Sequence, residues 1–175
     1  MAAQNFEPSL KLVLEDEGGN DDDPADRAGR TSRGITQREY DAWCHLHGSP
    51  TGDVWRATDD TIRQIYYQQY WLPHCDPLPR GLDYVYFDMA VNMGPTQATI
   101  ILQRALNVAD DGHFGVITMN AALRANVALV IEKIHDLKIA FYKEIERERP
   151  ANRKFDRGWM SRVAHVQKGA EAMLA

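Results

Sequence analysis

The 175-residue sequence lacks the features of a membrane or disulfide-rich protein. No apolar run approaches the ~18 residues that a membrane-spanning helix needs, so we expect no stable membrane insertion. The first six residues lack the basic start and apolar stretch of a secretory signal, which predicts synthesis in the cytoplasm without a signal peptide. The two cysteines, Cys44 and Cys75, fit no metal spacing. We expect reduced thiols, although a disulfide between them stays open.

Charge is unevenly distributed along the chain. Residues 1–30 hold eight acidic and three basic residues, whereas residues 124–168 hold eleven basic and six acidic ones. A basic C-terminal surface suits an anionic polymer, but an ordinary solvated helix face is the favoured explanation. No nucleic-acid-binding motif accompanies the charge, and the histidines form no helical pair suited to a metal. We predict a monomer that binds no nucleic acid, metal or cofactor.

Helical periodicity dominates the sequence. Apolar residues recur at intervals of three and four, and no long alternating pattern predicts a large sheet. The fold class is therefore mainly α, with a small β-hairpin possible in the 18–35 loop. A capping box at Thr36 and Glu39 starts the second helix. The predicted helices cover residues 4–17, 36–48, 58–71, 81–93, 96–107, 118–125, 127–148 and 154–174.

Glu17 is a charged residue in an unexpected position. It closes the first predicted helix near its apolar stripe, and Gly18 and Gly19 end that helix. The helix dipole disfavours an ionised carboxylate there by only ~0.3–1 kcal/mol. A glycosidase general acid needs a pKa near ~6 instead of ~4.3, a difference of ~2.3 kcal/mol. Partial burial and nearby carboxylates must supply the rest.

Glycoside hydrolysis requires a second group that stays ionised and either activates water or stabilises the cation. Asp26, in the Gly-rich loop, is the natural second carboxylate, and Thr31 is a candidate to hold a nucleophilic water through its hydroxyl. An acidic loop is also explained by solvation or by calcium binding. The acidic run lacks the full EF-hand pattern.

Residues 12–43 resemble the N-terminal region of glycoside hydrolase family 108, which contains bacterial and phage N-acetylmuramidases. The family hallmark is Glu-Gly-Gly, then Asp-Pro-x-Asp-x-Gly-Gly-x-Thr-x-x-Gly-Ile-Thr, and the spacing here is the same. The resemblance places the family's catalytic glutamate at Glu17. The similar Glu, Asp, Thr order of phage muramidases falls on Glu17, Asp26 and Thr31.

Two positions depart from the family pattern, and neither removes a catalytic group. Asn20 stands where an aromatic residue usually follows Glu-Gly-Gly, and Ala28 replaces the first glycine of the second pair. In the C-terminal half, residues 87–95, 102–107, 111–115 and 155–163 resemble the predicted peptidoglycan-binding region that usually follows this catalytic segment. The resemblance implies a catalytic region over residues 1–80 and a peptidoglycan-binding-like helical region over 81–175, packed as one lysozyme-like unit.

Three residues of the predicted helix 81–93 are candidates for substrate binding. Asp88 and Asn92 lie one turn apart beside the apolar face, where they could hydrogen-bond to sugar groups or brace the neighbouring backbone. Tyr86 could stack on a sugar ring or pack in the core.

The resemblance implies a lysozyme-type N-acetylmuramidase that hydrolyses the β-1,4 bond between N-acetylmuramic acid and N-acetylglucosamine in bacterial peptidoglycan. A phage or prophage endolysin, released to the cell wall by a holin, is the predicted setting. Three alternatives stay open: a host muramidase that supports protein export, a lytic transglycosylase, and a non-catalytic wall-binding protein. Retention or inversion depends on the separation of the carboxylates.

Overall fold

The computed structural model describes residues 3–17, 19–21 and 29–175. These residues form eight α-helices and a small three-stranded antiparallel sheet, which confirms the predicted mainly α, lysozyme-like fold. The helices are α1 (Ala3–Glu17), α2 (Gln37–Leu46), α3 (Asp59–Tyr66), α4 (Leu82–Met93), α5 (Pro95–Leu106), α6 (Val116–Arg124), α7 (Val127–Glu148) and α8 (Asp156–Leu174). The strands are β1 (Asn20–Asp21), β2 (Thr31–Ser32) and β3 (Ile35–Thr36), in the order β1-β2-β3.

The predicted helix limits differ from the observed ones by at most two residues, apart from the end of the third helix. There α3 ends at Tyr66, and the chain continues as a π-helical turn, Tyr67–Trp71. Short 3₁₀ turns at Val54–Arg56 and Pro150–Phe155 precede α3 and α8. The periodicity of apolar residues does not distinguish an α-helical turn from a π-helical one.

The predicted capping box at the start of α2 is confirmed. The Thr36 hydroxyl accepts a hydrogen bond from the Glu39 backbone N–H, and Glu39 Oε2 accepts one from the Thr36 N–H at 2.9 Å. Since Thr36 is also the last residue of β3, the box connects the sheet directly to α2.

Helix α4 lies at the centre of the molecule. Every residue from Leu82 to Ala90 is buried, and α4 contacts α1, α5, α7 and α8. One hydrophobic core contains buried side chains from all of these helices. A helix that is covered on every side is expected to be apolar all round, so the two buried aspartates of α4, Asp83 and Asp88, require partners.

Asp83 links α4 to α1. Its carboxylate accepts hydrogen bonds from Asn5 Nδ2 and from the backbone N–H groups of Gly81 and Tyr84, all at 2.8 Å. Burial raises the pKa of Asp83, and these hydrogen bonds oppose that rise. The contact with Asn5 fixes the beginning of α1 against the core, and the end of that helix carries Glu17.

Cys44 and Cys75 are both buried free thiols. Burial raises the pKa of Cys75, and the charges of Asp83 and Asp76 raise it further, so this group stays protonated. Among the described residues, no helix is both long and apolar enough to cross a bilayer.

Candidate active site

Glu17 is the last residue of α1, and its side chain is 17% exposed. The two carboxyl oxygens have different neighbours. Oε1 accepts a hydrogen bond from Nη1 of Arg162 at 2.6 Å. Oε2 lies 2.7 Å from the position that a Cβ atom would take at Gly34. The carboxyl group therefore lies between Arg162 and the backbone of Gly34.

Gly34 lies at the tip of the hairpin between β2 and β3. Arg33 and Gly34 both have positive φ angles, 50° and 80°, as the two central residues of a type I′ turn do. The Tyr66 hydroxyl donates a hydrogen bond to the Arg33 carbonyl at 2.7 Å, and Arg33 Nη2 donates to the Ala57 carbonyl at 2.7 Å. These bonds hold the hairpin tip against Glu17.

Tyr66 acts as a permanent hydrogen-bond donor in this arrangement. Burial raises the pKa of Tyr66 far above its ordinary value, and the nearby charge of Glu17 raises it further. The phenol is thus neutral across the physiological pH range. Its hydroxyl also lies 2.6 Å from the position of a Cβ at Gly34, so a side chain there would collide with both groups.

Arg162, in α8, connects Glu17 to a buried ion pair. Its Nε donates to Asp88 Oδ1 at 2.8 Å, and Lys138 Nζ, from α7, donates to Asp88 Oδ2 at 2.8 Å. Asp88 is fully buried and the Lys138 side chain is 2% exposed. A continuous chain of four hydrogen-bonded ionisable groups thus runs from α7 through α4 and α8 to Glu17 of α1.

The pKa values of Asp88 and Arg162 agree with this arrangement. Burial by itself raises the pKa of Asp88, but Lys138 and Arg162 outweigh burial and lower it below its ordinary value. Burial likewise lowers the pKa of Arg162, but the charges of Asp88 and Glu17 outweigh burial and raise it. Both groups are therefore ionised across the physiological pH range.

The Arg162 contact involves only one of the two carboxyl oxygens of Glu17. A protonated carboxyl group keeps one carbonyl oxygen as an acceptor and presents its proton on the other. The neighbours of Glu17 in sequence are mostly acidic, whereas this basic partner lies 145 residues away in the chain.

The other two predicted catalytic residues have different outcomes. Thr31 lies in β2, half-buried, paired with Asp21 of β1 and Thr36 of β3. Its carbonyl accepts a hydrogen bond from the Trp55 indole at 2.9 Å. Thr31 therefore belongs to the sheet whose hairpin tip contacts Glu17. Asp26 lies outside the described residues, and its catalytic role stays a prediction.

Of the three residues predicted to bind substrate, two are enclosed in the protein. Both oxygens of Asp88 accept hydrogen bonds from Lys138 and Arg162, so neither oxygen is free to bind a sugar. Tyr86 is 0% exposed and its hydroxyl pairs with Thr99 at 2.8 Å. Position 86 points away from position 88 on the helix, and the sequence expectation for both side chains is corrected accordingly.

Asn92 remains exposed at the end of α4. Its Oδ1 accepts a hydrogen bond from the Tyr142 hydroxyl at 2.6 Å, and the Tyr142 ring stacks on Trp159 at 4.8 Å. Asn92 thus lies one turn from Asp88 towards the surface. It stays a candidate for substrate binding.

Sequence reasoning missed Arg162 and Lys138 as site residues, although both leave a signal. Lys138 lies four residues from Ile134 and four from Tyr142, in the middle of the apolar stripe of α7. A lysine on such a stripe is almost never fully buried without a partner, so it indicates a buried ion pair. The sequence does not say which acid provides that partner.

Comparisons with known proteins identify the family of this chain. Residues 10–94 match the family described as glycosyl hydrolase 108, and residues 97–164 match a family described as predicted peptidoglycan domain. The solved structure of Brucella abortus SagA is 31% identical with a TM-score of 0.83, over 98% of this chain and 97% of that one. The chain belongs to the glycosyl hydrolase 108 family. A comparison with curated protein sequences found no match.

Membership of the glycosyl hydrolase 108 family makes this protein a glycoside hydrolase that acts on peptidoglycan. The two family matches meet between Gly94 and Gln97, at the junction of α4 and α5. One hydrophobic core spans residues 1–80 and 81–175. The division into a catalytic region and a peptidoglycan-binding region therefore stays a prediction. Glu17, Gly34 and Tyr66 lie in the first match, whereas Lys138 and Arg162 lie in the second.

Proposed function

We propose that this glycosyl hydrolase 108 protein is an N-acetylmuramidase that hydrolyses the β-1,4 bond between N-acetylmuramic acid and N-acetylglucosamine, with Glu17 as its general acid. The observation that carries the proposal is the placement of the Glu17 carboxyl. It is partly exposed and held by Arg162 at 2.6 Å, and its second oxygen lies against the hairpin tip. A general acid needs such a fixed but accessible carboxyl group.

In this mechanism Glu17 protonates the glycosidic oxygen as the bond to the sugar breaks. Asp26, with Thr31, positions water or stabilises the oxocarbenium-like transition state. The role of Asp26 rests on the family motif, and that of Thr31 also on its place in β2 beside the hairpin. Asn92 is the remaining candidate for contact with the sugar. The choice between retention and inversion follows from the separation of the two carboxyl groups.

The biological setting that fits this activity is the lysis of a bacterial host by a phage or prophage. The enzyme is then made in the cytoplasm and reaches the cell wall when a holin opens the membrane. This part of the proposal rests on the family resemblance and on the peptidoglycan substrate. Expression with and without a co-expressed holin tests it, because lysis of the culture should require both proteins.

The activity is tested by digesting purified peptidoglycan with the wild-type protein and with Glu17→Gln, and by measuring the product masses. Wild type should release fragments with a reducing end and one added water, and Glu17→Gln should release about 10²–10⁴-fold less. Glu15→Gln is the matched control, since Glu15 lies in the same helix turn and its side chain is half exposed. It should cleave at the wild-type rate.

Three results would contradict the proposal. Anhydro sugars at the new ends would indicate a lytic transglycosylase. An absence of fragments with wild type would indicate a wall-binding protein. Full activity of Glu17→Gln would remove this residue from the mechanism.

A further inference from the structure

Arg162 is fixed by hydrogen bonds to two carboxyl groups. Its Nε binds Asp88 Oδ1 at 2.8 Å and its Nη1 binds Glu17 Oε1 at 2.6 Å, and its side chain is 10% exposed. One planar guanidinium group thus bridges a fully buried aspartate of α4 and the end of α1. Lys138 occupies the other oxygen of Asp88, so rotation of that carboxylate would break a buried ion pair.

We propose that Arg162 is a positioning residue that fixes the Glu17 carboxyl for proton transfer, and that Asp88 and Lys138 in turn fix Arg162. This inference rests on the proposed function, because it takes Glu17 as the acid. A general acid must lie within hydrogen-bond reach of the oxygen that it protonates, and a misplacement of about 1 Å costs about 10²-fold in rate. Arg162 acts on Oε1 and leaves Oε2 to the reaction.

The guanidinium group is specifically suited to this task. Its rigid fork offers separate N–H donors to two carboxylates that lie in different directions, whereas lysine offers a single point charge on a flexible stem. A lysine at position 162 would keep the positive charge between Asp88 and Glu17. It would not keep both hydrogen bonds at their present lengths.

The segment matched as a predicted peptidoglycan domain therefore contributes to the catalytic site. The cluster of Lys138, Asp88, Arg162 and Glu17 takes both of its basic residues from the matched segment 97–164. Lys138 comes from α7 and Arg162 from α8. Helices α1 and α8, which Glu17 and Arg162 already connect, are joined a second time by His165 Nδ1 and Asp16 Oδ2, which lie 2.9 Å apart. Whatever this segment binds in the cell wall, it also holds the acid of the first segment in place.

The test compares Arg162→Gln and Arg162→Lys with wild type on solubilised glycan strands, with kcat and KM measured separately. Arg162→Gln should lose about 10²-fold in kcat with KM within about twofold, because no contact with the sugar is removed. Arg162→Lys should recover part of that loss. Arg157→Gln, which removes an exposed arginine from the same helix, should match wild type in both constants. Circular dichroism should show native helix content in each variant.

A double-mutant cycle separates positioning from a general loss of structure. In the Glu17→Gln background, Arg162→Gln should change the residual kcat by less than about twofold, because the group through which Arg162 acts is already absent. Two independent losses that multiply would overturn the proposal, and so would a raised KM at unchanged kcat.

The remaining outcomes are also decisive. If Arg162→Gln fails to fold, Arg162→Lys takes its place in the comparison, and a wild-type kcat for that variant contradicts the proposal. If neither variant folds, Arg162 serves folding and the positioning role is wrong. An inactive wild-type protein would instead contradict the proposed function itself.

Discussion

Glu17 and Arg162 are joined by a 2.6 Å hydrogen bond although 145 residues separate them in sequence. One is the last residue of α1 and the other lies in the first half of α8, and both helices pack against α4. The catalytic acid of the proposed mechanism is thus placed by the two ends of the chain together. The position of its carboxyl group therefore depends on the packing of the whole helical unit.

Gly34→Ala should damage the site more than its size suggests. The new Cβ would lie within 3 Å of both the Tyr66 hydroxyl and Glu17 Oε2, at a φ of +80° that non-glycine residues rarely adopt. We expect a loss of about 1–3 kcal/mol in the free energy of unfolding and about 10²-fold in kcat. Urea denaturation and product release from peptidoglycan measure the two effects.

The control for this variant is Gly48→Ala. Gly48 also has a positive φ, +64°, but nothing lies within 4 Å of its Cβ position. It should cost about 1–2 kcal/mol in stability from backbone strain alone and leave kcat unchanged. Equal kcat values for the two variants would show that the contact between the hairpin and Glu17 has no role in catalysis.

Tyr66→Phe should loosen the hairpin tip. The substitution removes the 2.7 Å hydrogen bond to the Arg33 carbonyl, and a part-buried acceptor left without its partner costs about 1 kcal/mol. Thermal unfolding measures the loss. Tyr67→Phe is the control, since its hydroxyl makes no hydrogen bond within the described residues. A melting temperature of Tyr66→Phe equal to that of the control would contradict the prediction.

Asp88→Asn should be destabilising at neutral pH and less so in acid. At pH 7 it leaves Lys138 buried beside a neutral group, which costs about 3–5 kcal/mol. The folded-state pKa of Asp88 is lowered, so its stabilisation is complete above about pH 4 and is lost as the pH falls below that value. The difference in the free energy of unfolding between variant and wild type should therefore decrease towards about pH 2.

Urea unfolding of Asp88→Asn and wild type at neutral and acid pH checks this expectation. Asp136→Asn serves as the control, because its side chain is 84% exposed on the same helix as Lys138. It should unfold like wild type at both pH values. A difference for Asp88→Asn that stays constant with pH would mean that the charge of Asp88 does not stabilise the fold.

Asp26→Asn should lower kcat strongly while circular dichroism stays native, because the family motif assigns the second carboxyl group to this residue. Asp21→Asn, an exposed residue of β1, provides the control in the same acidic stretch. Product release from peptidoglycan is the measurement. If the two variants cleave at the same rate, the second group of the mechanism must be sought elsewhere.

Local sequence information predicted the secondary structure well, because each element has a local cause. The α2 capping box depends on residues three apart, and apolar spacing within a few turns determines where each helix lies. The π-helical turn after Tyr66 was missed because it preserves the same apolar pattern. Glu17 was found by its position at a helix end and by a motif in which every member is close in sequence.

The sequence by itself determined the helices, the family motif and the candidate acid, since these depend on neighbours along the chain. Only the tertiary structure decided that Arg162 contacts this acid, that Asp88 and Tyr86 face the interior, and that Lys138 completes the cluster. The physical reason is that a buried charge must be paired, but any of many distant residues can provide the partner. Packing of α1, α4, α7 and α8 around one core makes that choice.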